Sequence, residues 1–192
     1  TAMKSILSYS IIGALMIGAL SLTSCKSKKL EAPKGEVEIA VPCSGEDFWS
    51  NKDVFRANAV GESKDQMVSK KKALSNARAD LASSITTTIK GTIDNYVNSR
   101  EFNNQEDVEE RFEGLTREVI NQELAGVKTI FEKMFTTEDG TYKTYIALEM
   151  TGEDLLGALN KTLSNDERLR IDYDYEKFKE EFNKEMDKLN NN

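Results

Sequence analysis

The spacing of apolar side chains divides the chain into one apolar run near its start and a series of shorter stretches with regular periods. Val37, Ile39 and Val41 alternate with Glu36, Glu38 and Ala40, a period of two that predicts a strand ended by Pro42 and the turn-forming Cys43-Ser44-Gly45-Glu46. A second strand is expected over residues 53–61. There Phe55, Ala57 and Ala59 share one face, Val54, Arg56, Asn58 and Val60 share the other, and Gly61 closes it. The period then changes to three and four residues. Met67, Leu74, Ala77, Leu81, Ile85, Ile89, Ile93 and Tyr96 predict a long helix over 66–97, capped by Ser63 or Asp65. Ala73, Ala77, Ala79 and Ala82 keep its middle slim enough to lie close to a sheet.

A polar loop follows over 100–107, and Val108, Phe112, Leu115, Val119 and Ile120 then mark a shorter amphipathic helix that ends before Gly126. Val127, Thr129, Phe131 and Lys133 alternate with Lys128, Ile130, Glu132 and Met134, and Thr137-Glu138-Asp139-Gly140 has the composition of a hairpin turn. On the returning strand, 142–150, Tyr142, Thr144, Ile146 and Leu148 oppose Lys143, Tyr145, Ala147 and Glu149. Thr151-Gly152-Glu153-Asp154 opens a third helix that buries Leu155, Leu156, Leu159 and Leu163. The charged tail repeats Ile171, Tyr175, Phe178, Phe182, Met186 and Leu189 at helical spacing. This stripe either packs on its own domain or presents Tyr175, Phe178, Phe182 and Met186 as a partner seam. The pattern predicts an α+β fold: a small antiparallel sheet packed by a long helix, with additional amphipathic helices.

The apolar run, Ile6 to Leu22, follows Lys4 and leads through small residues to Leu22-Thr23-Ser24-Cys25, the three parts of an export signal. Interrupted by Ser8, Ser10 and Ser21, it is shorter than the about 20 residues a spanning helix needs. Thr1-Ala2 before Met3 reads as an upstream extension outside the fold. Leu-Thr-Ser-Cys resembles the lipobox of bacterial lipoproteins, which implies a diacylglyceryl group on Cys25 and cleavage before it. The organisation expected is a signal peptide over 1–24, a lipidated flexible tether over 25–36, an α+β domain over 37–163 and an amphipathic C-terminal helix over 164–192. Membrane attachment then runs through the lipid. Lys26 in place of Asp, by resemblance to sorted lipoproteins, points to the outer membrane. Lys26-Ser27-Lys28-Lys29 lacks the acidic residues that accompany display on the cell surface, which favours the periplasmic face.

Composition narrows the function classes. Cleavage would remove Lys4 and no carboxylate, shifting the net charge from −7 to −8. Such an excess of carboxylates opposes a nucleic-acid partner, whose phosphates need a basic surface. There is no histidine, so Ser-His and Cys-His nucleophile pairs and imidazole metal ligands are excluded. With Cys25 lipidated, Cys43 has no intramolecular disulfide partner and is expected to be buried or idle, with pairing to another molecule as the alternative. Asp172-Tyr173-Asp174-Tyr175-Glu176 lacks the central glycine and closing glutamate of a calcium loop, and Lys70-Lys71-Lys72 reads as a solvated face. No catalytic, cofactor or metal residue is assigned.

Phe55-Arg56-Ala57-Asn58-Ala59-Val60-Gly61-Glu62-Ser63, running into Ala73-Leu74-Ser75-Asn76-Ala77-Arg78-Ala79-Asp80-Leu81-Ala82, resembles the Lpp-twenty lipoprotein family. That family shows a strand ending in Ala-x-Gly-x-Ser and then a helix with Ala-x₃-Ala-Arg-x₂-Leu-Ala. The resemblance covers residues 37–163 and implies a helix on a small antiparallel sheet, similar to the N-terminal domain of flagellar assembly protein T. It implies no catalytic residue. The expectation is a non-enzymatic envelope lipoprotein that binds an envelope protein or assists assembly, through a sheet edge or the tail helix. The alternative is a small-ligand or cell-wall-glycan binder stacking sugars on Phe48, Trp49, Tyr142 and Tyr145 between helix and sheet.

Overall fold

The computed structural model describes residues 33–37, 39–100, 102 and 104–191. One compact unit spans Ala40–Asn192. In chain order it contains a 3-10 turn (Glu46–Phe48), β1 (Val54–Ser63), α1 (Gln66–Asn98), α2 (Gln105–Glu123), β2 (Lys128–Thr136), β3 (Tyr142–Thr151), α3 (Gly152–Asn165), α4 (Tyr175–Lys188) and a 3-10 turn (Leu189–Asn191). The strands form one antiparallel sheet in the order β1-β3-β2, so the fold is α+β. No helix among the described residues is long and apolar enough to cross a membrane.

The alternation of β1 and β3 does what its period dictates. Phe55, Ala57, Ala59 and Gly61 stand opposite Met150, Leu148, Ile146 and Thr144, and this face meets α1. The strand runs past Gly61 to Ser63 because Glu62 and Ser63 still pair with Lys143 and Tyr142. Gly61 is there for closeness. A Cβ on it would sit 2.2 Å from the Ser69 carbonyl oxygen and 2.4 Å from the Ala73 nitrogen, so helix and strand backbones touch at that point. The Ser69 hydroxyl donates to the Gly61 carbonyl at 2.9 Å and lies 2.8 Å from the Thr144 hydroxyl, satisfying polar groups buried by the approach. Asp65 caps α1, its side chain accepting from the Val68 amide at 2.9 Å. Ala73, Ala77, Leu81 and Ile85 form the buried stripe. Met67 and Ala79, expected inside, are exposed because they lie on the flank of α1 away from the sheet.

The far half of α1 extends beyond the strands and carries a second cluster. Tyr96 meets Phe112 of α2 at 5.6 Å between ring centres and Phe178 of α4 at 5.5 Å, with Tyr173 alongside. The Tyr96 hydroxyl accepts from the Asp174 amide at 2.8 Å, joining the start of α4 to α1. Gly91 lets Glu185 pass, and its Oε1 accepts from Asn95 Nδ2 at 2.7 Å. The tail helix is thus part of the core and not an appendage to a domain ending at residue 163. Phe178, Phe182 and Met186, offered as a partner seam, are 0%, 2% and 2% exposed, and Tyr175 packs half-buried against the same core.

Two strand expectations need correction. Residues 36, 37 and 39–41 are not in a strand, and Val37, Ile39 and Val41 are 86%, 79% and 47% exposed. The nearest sheet edge in sequence is already taken. Asn51 accepts from the Val54 amide and donates to the Val54 carbonyl, while the Ser50 hydroxyl bonds both the amide and the carbonyl of Arg56. In β2 a bulge at Ile130 shifts the register between Thr129 and Phe131. Thr129 stands opposite Leu148 on the helix side, but Phe131, Lys133 and Phe135 stand opposite Ala147, Tyr145 and Lys143 on the outer side. The single alternation read from the sequence therefore holds only on either side of the bulge.

Gly61→Ala forces two packed backbones apart and is expected to cost about 3 kcal/mol, read as a lower urea midpoint in circular dichroism. Phe178→Ala, which empties the centre of the second cluster, should cost about 3–5 kcal/mol in the same assay and lower the midpoint of the whole transition. A separate first transition for α4 would show that the tail folds independently.

Candidate functional site

Cys25 and the lysines that follow it lie outside the described residues. Cys43 sits at a left-handed backbone position, φ 54°, and is 6% exposed. Burial pushes its thiol up from the usual range, which suppresses the thiolate that nucleophilic chemistry requires. Asp174, within the acidic stretch 172–176, caps α4 and pairs with Arg100 at 3.4 Å. Lys70 is paired with Glu132 at 2.7 Å, and Lys72 donates to the Glu62 carbonyl at 3.0 Å. Phe48, Trp49, Tyr142 and Tyr145 do not share a wall. Tyr142 is on the helix side of the sheet, Tyr145 is on the outer side, and Phe48 packs edge-on against Phe131 there. No groove opens between helix and sheet for them to line, because Ala73 and Gly61 are in backbone contact.

The outer side of the sheet is where unsatisfied apolar surface collects. Ala147 is buried at its centre, with Asn58 and Phe131 across from it on the two neighbouring strands. Val60 and Phe135 flank Tyr145 and are 45% and 48% exposed; Phe135 meets Tyr145 edge-on at 5.7 Å. Trp49, 51% exposed, follows the 3-10 turn whose Phe48 leans on Phe131. Charged pairs border the patch: Arg56 with Glu149 at 2.7 Å and Lys143 with Glu62 at 3.4 Å. Lys133 lies over the Phe131 ring, 5.6 Å from its centre. An apolar centre with a rim of both signs is the make-up of a protein-recognition surface.

The two edges of this sheet differ. On β1, Ser50 and Asn51 satisfy the backbone at Arg56 and Val54, and Lys72 takes the Glu62 carbonyl. On β2 no residue is buried, and among the described residues no hydrogen bond reaches the edge turned away from β3. The alternation of β1 placed Val60 on the outer face, but no local pattern marked Phe135 or the exposure of β2. The first depends on the bulge, and the second on how far the helices reach across the sheet.

Elsewhere, cavities are lined by groups with structural duties. A cleft of about 540 Å³ at the start of α3 has Thr151 on its wall, but the Thr151 hydroxyl caps that helix by accepting from the Asp154 amide at 3.1 Å. A groove of about 320 Å³ between α1 and α2 has Ile89, Ile93 and Ile120 as its floor and Lys90, Glu113 and Arg117 at its rim. Asp166, 9% exposed, accepts from Arg111 Nε at 2.9 Å and, through its other oxygen, from the Arg168 and Leu169 amides at 3.0 and 3.2 Å. The Arg111 guanidinium holds its carboxyl below the usual carboxylate range.

Comparison with family models, with curated proteins and with solved structures finds no match to this chain.

Because Asp166 has a depressed pKa in the folded state, its contribution to stability is full above the unfolded value near 4 and fades as pH falls through the folded one. Asp166→Asn is therefore expected to unfold at a lower denaturant concentration than the parent at pH 7. The gap between them should close below about pH 4; a gap constant to pH 2 would show that charge is not its source.

Proposed function

We propose that this chain is a non-enzymatic lipoprotein of the outer membrane, held by a lipid on Cys25, whose α+β unit binds an envelope protein or assists assembly on the periplasmic side. The observation that carries the binding role is the outer sheet face, where β2, a strand with no buried residue, carries exposed Phe135 and β1 carries exposed Val60 on the far side of β3. The tail helix drops out as a contact surface because its apolar side is core. The lipobox-like Leu22-Thr23-Ser24-Cys25 supports the anchor, and the resemblance to Lpp-twenty lipoproteins supports the location. Two or more acyl chains hold a protein stably without any spanning helix, since each buried CH₂ adds about 0.8 kcal/mol. Net charge of −8 after cleavage disfavours nucleic acid.

A photoreactive residue at Phe135 in the anchored protein is expected to trap one protein in stoichiometric yield in intact cells. Cys25→Ala should move the chain out of the membrane fraction and abolish the trapping. Phe135→Ser removes an exposed aromatic of the patch and should lower the yield about tenfold, the effect of roughly 1.4 kcal/mol, while Ile171→Ser, at an 82% exposed position outside the sheet, should not. Recovery of no protein at Phe135 would end the binding role of this face.

A further inference from the structure

We infer that the groove between α1 and α2 is a binding site for a small amphiphile, one carboxylate on an apolar body, of about ten non-hydrogen atoms. It is built on elements other than the outer sheet face, so it stands apart from the binding role proposed there. The groove encloses about 320 Å³, at the lower end of the volumes that hold small ligands. At about 30 Å³ for a water-sized group, that space seats about ten non-hydrogen atoms. Its walls carry short side chains, Ala82 and Thr86 of α1 and Thr116 and Asn121 of α2, which leave open a space that longer ones would fill. Its floor is apolar. Ile89, Ile93 and Ile120 are buried there as part of the core, so an apolar body seated over them meets no polar side chain from below. The Thr116 hydroxyl donates to the Glu113 carbonyl at 3.1 Å and is satisfied by its own helix.

The rim fixes the sign and the number of the charge. Of the two arginines of α2, Arg111 is held by Asp166, whereas Arg117 at the groove is in no ion pair among the described residues. Lys90, on the wall made by α1, is equally without a carboxylate partner among them. Glu113 is the one carboxylate on the rim. Two cations against one carboxylate leave the groove with a net charge of +1, on a chain whose net charge is −7. That local excess complements a single negative charge. A phosphate monoester carries up to two and would meet more repulsion from Glu113, and a cation would be turned away by Lys90 and Arg117. The planar fork of Arg117 can take both oxygens of a carboxylate, while Lys90 adds a point charge from the facing wall. The methylene stems of the same two side chains extend the apolar lining toward the rim. An apolar floor with a few polar groups at one side is the make-up that orients a small ligand.

The test is a titration of the full chain in lipid nanodiscs, its isoleucine methyls labelled for NMR, with sodium octanoate below its micellar range. Saturable shifts are expected at Ile89, Ile93 and Ile120, with Ile171, exposed and outside the groove, unmoved. 1-Octanol and octylammonium, which keep the chain and lack the anion, should bind about tenfold more weakly or not at all. Arg117→Gln combined with Lys90→Gln, both at exposed positions, should weaken octanoate about tenfold and leave the starting methyl spectrum in place. Lys71→Gln, at an exposed position of α1 outside the groove, should leave the affinity unchanged. The inference is overturned by the absence of a saturable shift, by shifts that Ile171 shares equally, by octanol binding as tightly as octanoate, or by parental affinity in the double variant. None of these results bears on trapping at Phe135, so the groove and the sheet face stand or fall separately.

Discussion

The contact between α1 and β1 at Gly61 sets the layout of the molecule. Backbone against backbone is the closest that a helix and a strand can come, and it is reached here because Gly61 has no side chain and Ala73 has almost none. The approach buries carbonyl and hydroxyl groups that would otherwise be costly, and Ser69 resolves this by bonding Gly61 and Thr144 together. Helix, edge strand and central strand are thereby fixed to one another at one depth. With α1 held so low on the sheet, the space where a ligand groove would open is filled by Ala73, Ala77 and Leu81 against Ala57, Ile146 and Leu148.

Because α1 is much longer than the strands, its far half needs other cover, and α2 and α4 supply it around Tyr96 and Phe112. The chain returns from the sheet through α3 and a turn stapled by Asp166, whose oxygens take Arg111 and two backbone amides. That turn aims α4 back at α1. The acidic tail is able to be core because Glu181 and Glu185, though buried, reach lysines on their own helix, Lys184 and Lys188, at 3.1 and 2.5 Å. The four α-helices among the described residues are consumed in this way on one side of the sheet or beyond its end.

Among the described residues the other side of the sheet meets the short turn that carries Phe48 and no α-helix. That side's exposed large apolar side chains are Val60 and Phe135. The contrast between its edges carries the functional proposal. β1 is closed by Ser50, Asn51 and Lys72 just before and after it in sequence, whereas the edge of β2 turned away from β3 receives no hydrogen bond among the described residues. A chain tied to a membrane by lipid would meet its partners in two dimensions, where such an edge needs little area to be useful.

Periodicity alone determined β1, α1, the β2–β3 hairpin and α3, because each has a strong two- or 3.6-residue pattern bounded by its own cap or turn. The α+β class followed, as did the alanine contact between α1 and the sheet, and the absence of histidine by itself removed whole classes of chemistry. The lipobox-like Leu22-Thr23-Ser24-Cys25 belongs to this local kind of information. What the tertiary structure decided was nonlocal. An amphipathic stripe such as Tyr175 to Met186 looks the same whether it covers its own core or a partner, and only the overhang of α1 selects the first. A strand pattern such as 36–41 needs a neighbour with unpaired backbone, and Ser50 and Asn51 had already closed the near edge. The facing of Phe131 and Phe135 turned on one extra residue at Ile130, since side chains alternate with a period of two and a single bulge reverses every position after it.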